Sequence, residues 1–306
     1  MTRVAFVVIA GLAVASCGRT ENPPAETATP APASAPAAAG GALAPVWTVT
    51  EGIETPESVY YDSASNAIYT SQIAGAPDGR DGNGRIVKLS PDGKVVSANW
   101  ASGLNAPKGL RSHNGTLWTS DLDEVVGIDM SSGKVTSRVK ITGAMFLNDV
   151  AAGDDGTVYV TDMMGNKIYA VKDGKASVFI EGEELEHPNG LLAEGGRLVV
   201  GGWGSQPKAD FSTDVPGRLF AIDLKTKAKT PITATPFANI DGVESDGSGG
   251  YVVTDYLKGQ VIRVSSGGET RPVGTFMPGT ADIGLNGSTV IIPHMNENKI
   301  AAYNLP

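Results

Sequence analysis

The sequence predicts an all-β domain, a six-bladed β-propeller of four-stranded blades, on three observations. One pattern of an apolar strand, a turn, a second strand and then two further strands recurs six times in the 306 residues. The interval between repeats is close to the roughly 40 residues of a propeller blade. A spare segment before the first repeat can supply the strand that the last repeat lacks, which closes the ring.

Each repeat is marked by a polar residue where its innermost strand begins, and we call these six residues the anchors. The anchors are Glu57, Lys108, Asn148, Asn189, Asp241 and Asp282. They are separated by 51, 40, 41, 52 and 41 residues. Two extra loops, residues 72–84 and 202–217, account for the two long intervals. No segment has a convincing helical periodicity.

The two ends of the domain are predicted to complete one blade together. The last repeat supplies three strands and stops near Tyr303, one strand short. Residues 46–50 can serve as its missing outer strand. Such pairing removes the sheet edges that would otherwise invite aggregation. A β-sandwich, the other fold considered, would not explain the period.

The first residues are typical of an export signal. Thr2-Arg3 precede an apolar run, Val4 to Val14, that is too short to span a bilayer as a mature helix. The run ends in Val14-Ala15-Ser16-Cys17, which resembles the lipobox of bacterial lipoproteins. That resemblance implies a signal peptide of residues 1–16 and lipidation of Cys17. The mature protein would then be an exported lipoprotein of the cell envelope, on its periplasmic or outer-membrane face. The alternative is an ordinary signal peptide with an incidental cysteine.

Composition divides the rest of the chain in two. Residues 17–44 are rich in Ala, Pro, Thr and Ser and are predicted to form a disordered tether, while residues 45–306 form the propeller. The net charge of −9, with no basic stripe, argues against nucleic acid as a partner. The lipid anchor would be the only membrane contact. Since Cys17 is the only cysteine, no disulfide forms within the chain. Nothing in the sequence indicates an oligomer, and we expect a monomer.

Anchors at equivalent positions of six blades should form a ring around one mouth of the channel. Four of them, Glu57, Asn148, Asn189 and Asp241, offer only carboxylate or amide oxygens, which suit calcium. Four protein oxygens would leave positions open for water and a substrate. Zinc is less suitable because soft ligands are absent. Alternatively, the anchors only bond backbone groups of neighbouring blades.

The region from Pro45 onward resembles the SMP-30/gluconolactonase/LRE-like propellers, relatives of regucalcin, diisopropylfluorophosphatase and paraoxonase. The resemblance rests on Glu57 near the start of blade one and on three short motifs, Asn148-Asp149, Pro188-Asn189-Gly190-Leu191 and Asp241-Gly242. It implies that Glu57, Asn148, Asn189 and Asp241 bind a catalytic or structural divalent cation. It also implies a calcium-dependent hydrolase of the lactonase or esterase type, with Asp241 as the first candidate for the base or nucleophile.

Lys108 and Asp282 flank Glu57 in the predicted ring, and three interpretations of the lysine are open. It could form a salt bridge that spreads charge around the ring. A nearby cation could instead lower its pKa, so that it transfers a proton or holds an anionic substrate. Its ammonium could also replace part of the metal. Lys108 is therefore a candidate catalytic residue, and Lys108 and Asp282 are predicted pocket residues.

The loops between second and third strands should overhang the anchors. Loop 202–217 carries Trp203 and Phe211, and Trp203 is a predicted wall of the substrate pocket. His294 ends a second strand on the same side, where it is a candidate base or substrate contact. The alternative for His294 is a half-buried packing role.

Two classes of function follow. The first is a metal-assisted hydrolase of a small lactone or ester. The sequence contains neither a serine nucleophile elbow nor a phosphate-binding loop, so no motif points to a different reaction. The second is a surface-tethered binding module for a small molecule or protein, with a structural metal or none.

Overall fold

The computed structural model describes residues 43–306, and the predicted signal peptide, Cys17 and nearly all of the predicted tether lie outside them. The described residues form a six-bladed β-propeller, as predicted. Their strands are β1 (Pro45–Val49); β2 (Pro56–Asp62), β3 (Ala67–Gln72), β4 (Gly84–Leu89) and β5 (Val95–Leu104); β6 (Pro107–His113), β7 (Thr116–Asp121), β8 (Glu124–Asp129) and β9 (Val135–Lys140); β10 (Leu147–Ala152), β11 (Val158–Asp162), β12 (Lys167–Lys172) and β13 (Lys175–Glu181); β14 (Pro188–Glu194), β15 (Arg197–Gly202), β16 (Gly204–Ser205), β17 (Val215–Pro216), β18 (Leu219–Asp223) and β19 (Lys229–Pro231); β20 (Ile240–Ser245), β21 (Tyr251–Asp255), β22 (Gln260–Val264) and β23 (Thr270–Thr275); β24 (Gly284–Asn286), β25 (Thr289–His294) and β26 (Lys299–Asn304).

Each blade is an antiparallel meander that runs outward from the channel. Blades 1, 2, 3 and 5 are β2–β5, β6–β9, β10–β13 and β20–β23. Blade 4 consists of β14, β15, β18 and β19, because the hairpin β16–β17 is inserted between its second and third strands. This insertion is the predicted extra loop 202–217.

The ring closes in blade 6, where the N-terminal β1 pairs antiparallel with β26. The strand begins at Pro45, one residue before the predicted start. Leu43, which was predicted to belong to the tether, packs against the apolar cluster between blades 5 and 6.

An apolar cluster fills each contact between neighbouring blades. The cluster between blades 1 and 2, for example, joins Tyr69 and Ile86 to Leu110 and Leu117. Similar clusters occupy the other five contacts. Since apolar burial of this kind is the dominant favourable term in folding, the blades stabilise one another around the whole ring.

Helices contribute little to the described residues. Two single 3₁₀ turns occur, Glu183–Leu185 and Met295–Glu297. Over residues 43–306, no helix has the length and apolar character needed to cross a membrane.

Candidate functional site

All six anchors are buried at one mouth of the channel, and each is at most 6% exposed. Five of them lie near the start of an innermost strand. At that point the register of its pairing with the second strand shifts, for example between Pro188 and Leu191 on β14. Similar shifts occur beside the other four, in blades 1, 2, 3 and 5. A bulge re-aims the side chain that it carries. These irregularities therefore explain how a strand end can direct a polar side chain towards the channel.

A repeated hydroxyl fixes the backbone around the anchors. Thr161 Oγ1 accepts from the Asp149 N–H at 2.9 Å and donates to the Asn189 carbonyl of the next blade at 2.9 Å. Thr254 Oγ1 likewise accepts from the Gly242 N–H and donates to the Ala281 carbonyl. In blade 2, the Ser120 hydroxyl donates to the Asn148 carbonyl. Thr161 and Thr254 thus each connect the segment that carries one anchor to the segment that carries the next.

Asp121 and Asp162 directly follow Ser120 and Thr161, and each accepts hydrogen bonds from the loop that precedes an anchor-bearing strand. Asp162 accepts hydrogen bonds from the Met145 and Phe146 N–H groups. Asp121 accepts from the N–H groups of Asn105 and Ala106. Both carboxylates therefore bond backbone groups. The pairs Ser120-Asp121 and Thr161-Asp162 recur at the ends of second strands, so the sequence contains this pattern although its role is apparent only in the structure.

Two glycines after anchors are required by close packing at the channel. A Cβ at Gly190 would lie 2.0 Å from the Asp241 carbonyl oxygen, and one at Gly242 would lie 2.6 Å from the Ile283 nitrogen. The Asn-Gly and Asp-Gly pairs therefore serve the packing of blades 4, 5 and 6 as well as any ligand.

A cavity of about 100 Å³ opens above the anchors. Its floor contains five of the six: Glu57, Lys108, Asn148, Asn189 and Asp241. Its wall contains Ile73, Pro77, Phe146, Met163, Trp203, Phe211, Tyr256 and Met295. The four predicted cation ligands thus line one cavity, and the two predicted loops overhang it through Pro77, Trp203 and Phe211.

Asp282 and His294, predicted as pocket residues, are not among those that line the cavity. Asp282 Oδ2 accepts from the Ser58 hydroxyl at 2.5 Å, which joins blade 6 to blade 1. His294 is 2% exposed; its Nε2 lies 3.0 Å from the Tyr303 hydroxyl and its ring packs edge-on against Phe276. Burial lowers the pKa of His294 to about 4. His294 therefore occupies the packing role that was its alternative.

Lys108 lines the cavity, but it does not form the salt bridge that was one of its three interpretations. Its Nζ donates to the Pro77 and Ala106 carbonyls, both at 3.1 Å, and lies 4.8 Å from the centre of the Phe146 ring. No salt bridge of Lys108 occurs among residues 43–306, so it does not pair with Glu57. The ammonium therefore bonds two backbone carbonyls, one of them from the overhanging loop that contains Pro77. Burial lowers the pKa of Lys108.

Two acidic anchors share the floor at high electrostatic cost. Burial and the charge of Asp241 raise the pKa of Glu57 well above its usual range. Burial and the charge of Asp282 do the same to the pKa of Asp241. The buried floor therefore favours an added positive charge.

The donor set fits a hard cation. Glu57 Oε2 and Asn189 Oδ1 are buried and have no hydrogen-bond partner among the described residues. Within residues 43–306, no three His, Cys, Asp or Glu side chains lie close enough to hold a metal by themselves. A cation here would depend on the amide oxygens of Asn148 and Asn189 in addition to the two carboxylates. Amide and carboxylate oxygens together are ligands of calcium.

A salt bridge crosses the channel farther along the inner strands than the anchors. Arg111 Nη1 lies 2.8 Å from Glu244 Oε1, and the two side chains are 13% and 14% exposed. Arg111 is on β6 and Glu244 on β20, in the opposite blades 2 and 5. The guanidinium lies 5.1 Å from the centre of the Tyr60 ring. Each residue is three positions after an anchor, a spacing that could have revealed the pair.

Solved structures resemble this chain in fold, while no family model and no curated protein matches its sequence. A gluconolactonase from Xanthomonas campestris is 17% identical, with a TM-score of 0.59 over 88% of this chain and 89% of that chain. A catalytically inactive virginiamycin B lyase from Staphylococcus aureus, with quinupristin, is 14% identical, with a TM-score of 0.58 over 85% and 98%. A chain of a nidogen/laminin complex is 12% identical, with a TM-score of 0.58 over 82% and 88%.

At these identities the likeness establishes the fold, a β-propeller. The neighbours include a gluconolactonase, a lyase and a chain from a protein–protein complex, so one architecture serves catalysis and protein binding.

Proposed function

We propose that the protein is a divalent-cation-dependent hydrolase of the lactonase or esterase type, acting in the cavity above the anchors. The observation that carries this proposal is the pair of buried oxygens, Glu57 Oε2 and Asn189 Oδ1, which have no partner among the described residues and belong to side chains that line one cavity. Glu57, Asn148, Asn189 and Asp241 would hold the cation, and calcium suits these oxygens best. The likeness in fold to a gluconolactonase supports the reaction class.

The bound cation would polarise the substrate carbonyl and stabilise the oxyanion that develops there. Asp241 is the candidate base or nucleophile. As a base it accepts a proton from water while the water oxygen bonds to the carbonyl carbon. The acyl carbon–oxygen bond then breaks, and the proton returns to the departing alkoxide. Lys108, which uses two of its three N–H groups on carbonyls, has one left to hold a substrate oxygen.

A panel of lactones and aryl esters, assayed with calcium and with a chelator, tests this proposal. We expect turnover that disappears in chelator and in Asn148→Ala, and that survives in Asn304→Ala, a change at an exposed position on β26. A folded protein with no turnover on any substrate in added calcium would favour the binding module instead.

We also propose that Cys17 anchors the protein to the cell envelope. Metabolic labelling with a radioactive fatty acid should mark the wild type and not Cys17→Ser. Equal labelling of both forms would contradict lipidation at this residue.

A further inference from the structure

Four aromatic side chains form much of the cavity wall, and we call Phe146, Trp203, Phe211 and Tyr256 the aromatic collar. They meet in two pairs. The ring centroids of Phe146 and Phe211 lie 5.6 Å apart, and those of Trp203 and Tyr256 lie 5.7 Å apart. The pairs join blade 3 to blade 4 and blade 4 to blade 5. The collar is therefore assembled across three blades.

The polar hydrogens of the collar are already used. Trp203 Nε1 donates to the Phe211 carbonyl at 2.8 Å, and the Tyr256 hydroxyl donates to Met295 Sδ at 3.3 Å. Burial raises the pKa of Tyr256 to about 12, so the hydroxyl keeps its proton at neutral pH. Towards a ligand the collar offers ring carbon, and polar groups are concentrated on the cavity floor.

Hydrogen bonds from Asn239 hold the insertion that carries Trp203 and Phe211. Asn239 Nδ2 donates to the Trp203 carbonyl at 2.6 Å and to Thr213 Oγ1 at 2.8 Å. Phe211 has a positive φ of 62°, which is uncommon for an aromatic residue, and its N–H donates to the Lys208 carbonyl. The collar is thus pre-formed in the structure.

We propose that the substrate is an apolar lactone or ester, with an alkyl or aryl body against the collar, and not a polyhydroxylated sugar lactone. This inference rests on the hydrolase function proposed above. The reactive carboxyl group would lie on the polar floor. A sugar lactone would bring several further hydroxyls against the collar, where they would lose water without gaining hydrogen bonds. An apolar body gains from the same surface.

Two δ-lactones of contrasting polarity, δ-decalactone and glucono-δ-lactone, test this inference with calcium present. We expect kcat/KM for δ-decalactone to exceed that for glucono-δ-lactone by about 100-fold or more, after subtraction of spontaneous hydrolysis. Equal or faster turnover of the sugar lactone would overturn the apolar-substrate inference and leave the hydrolase function standing.

If the whole panel of lactones and aryl esters gives no turnover, the hydrolase function fails, and calorimetry with the lactams that correspond to the two δ-lactones decides the ligand class. Binding of the alkyl lactam without binding of the sugar lactam supports an apolar ligand. Binding of the sugar lactam, or of neither, overturns it.

Phe211→Asn tests the collar itself, because asparagine tolerates a positive φ and the backbone carbonyl bonded by Trp203 remains. We expect kcat/KM for δ-decalactone to fall roughly 10-fold while that for glucono-δ-lactone stays unchanged. Val215→Asn, at a 47% exposed site on the same insertion, is the matched control and should behave as wild type. Equal loss on both substrates, or no loss, in a variant with the wild-type melting temperature would contradict the role of the collar.

Discussion

The side-chain amide of Asn189 donates to Asp241 Oδ1 at 3.3 Å, and this contact joins an anchor of blade 4 to an anchor of blade 5. Because its nitrogen is engaged, the amide oxygen of Asn189 is the atom left for a ligand. That oxygen is buried and has no partner among the described residues. The same contact orients the carboxylate that we propose as the base. Asn189 therefore links cation binding to the position of Asp241.

Asn189→Ala should weaken calcium binding about 10- to 100-fold, because it removes one oxygen ligand and the donor to Asp241. Isothermal titration calorimetry measures the affinity directly. Asn304→Ala, exposed and outside the cavity, should leave the affinity unchanged. Wild-type affinity in a folded Asn189→Ala variant would exclude this residue as a ligand.

Lys108→Met should bind calcium at least as tightly as the wild type. The substitution removes a positive charge that interacts with Glu57, so the cation meets less repulsion. It also removes two hydrogen bonds to buried or partly buried carbonyls, which should cost about 1–3 kcal/mol of stability. Calcium titration and urea unfolding check the two effects. Weaker calcium binding by Lys108→Met would contradict this account of the lysine.

The Arg111–Glu244 salt bridge should show the coupling of a half-buried ion pair. Arg111→Met or Glu244→Met alone removes one partner of the pair in the channel, and we expect each to lower the free energy of unfolding by about 1–3 kcal/mol. The double variant should recover most of that loss. A double-mutant cycle by urea denaturation gives the coupling energy. Additive losses would show that the pair is not coupled.

His294 should make stability fall in mild acid. Its pKa is about 4 in the folded protein, against 6.5 for an unperturbed histidine. Between those values the unfolded chain binds a proton that the folded protein does not, so the free energy of unfolding decreases as pH falls from about 6.5 to 4. The contribution is on the order of 3 kcal/mol.

His294→Gln should remove that part of the pH dependence, and unfolding in urea at pH 7 and pH 4.5 measures it. His113→Gln is the matched control, since His113 is a partly exposed residue at the end of β6. A His294→Gln variant that loses as much stability in acid as the wild type would contradict the assignment.

The fold could be predicted from the sequence because the repeat is carried by local signals. Polar anchors such as Asn189, each at the start of an apolar strand, recur at blade spacing, and the ring geometry then places them at one mouth. The closing strand was predicted because the last repeat is one strand short, and the structure places it one residue earlier, at Pro45–Val49.

Side-chain environments could not be predicted in the same way. His294 ends a second strand as expected, but its direction depends on Phe276 and Tyr303, which pack around it in the outer part of the ring. The carbonyls that hold Lys108 depend on the path of the loop containing Pro77. Phe146 was missed because it lies two residues before Asn148, in a loop that carries no regular pattern of its own.

A crystal structure of the protein grown with calcium would show whether oxygens from four blades hold one divalent cation. We expect anomalous density at the cavity floor, with oxygens of Glu57, Asn148, Asn189 and Asp241 about 2.3–2.6 Å from the ion. A floor without an ion at saturating calcium, or an ion bound by other residues, would contradict it.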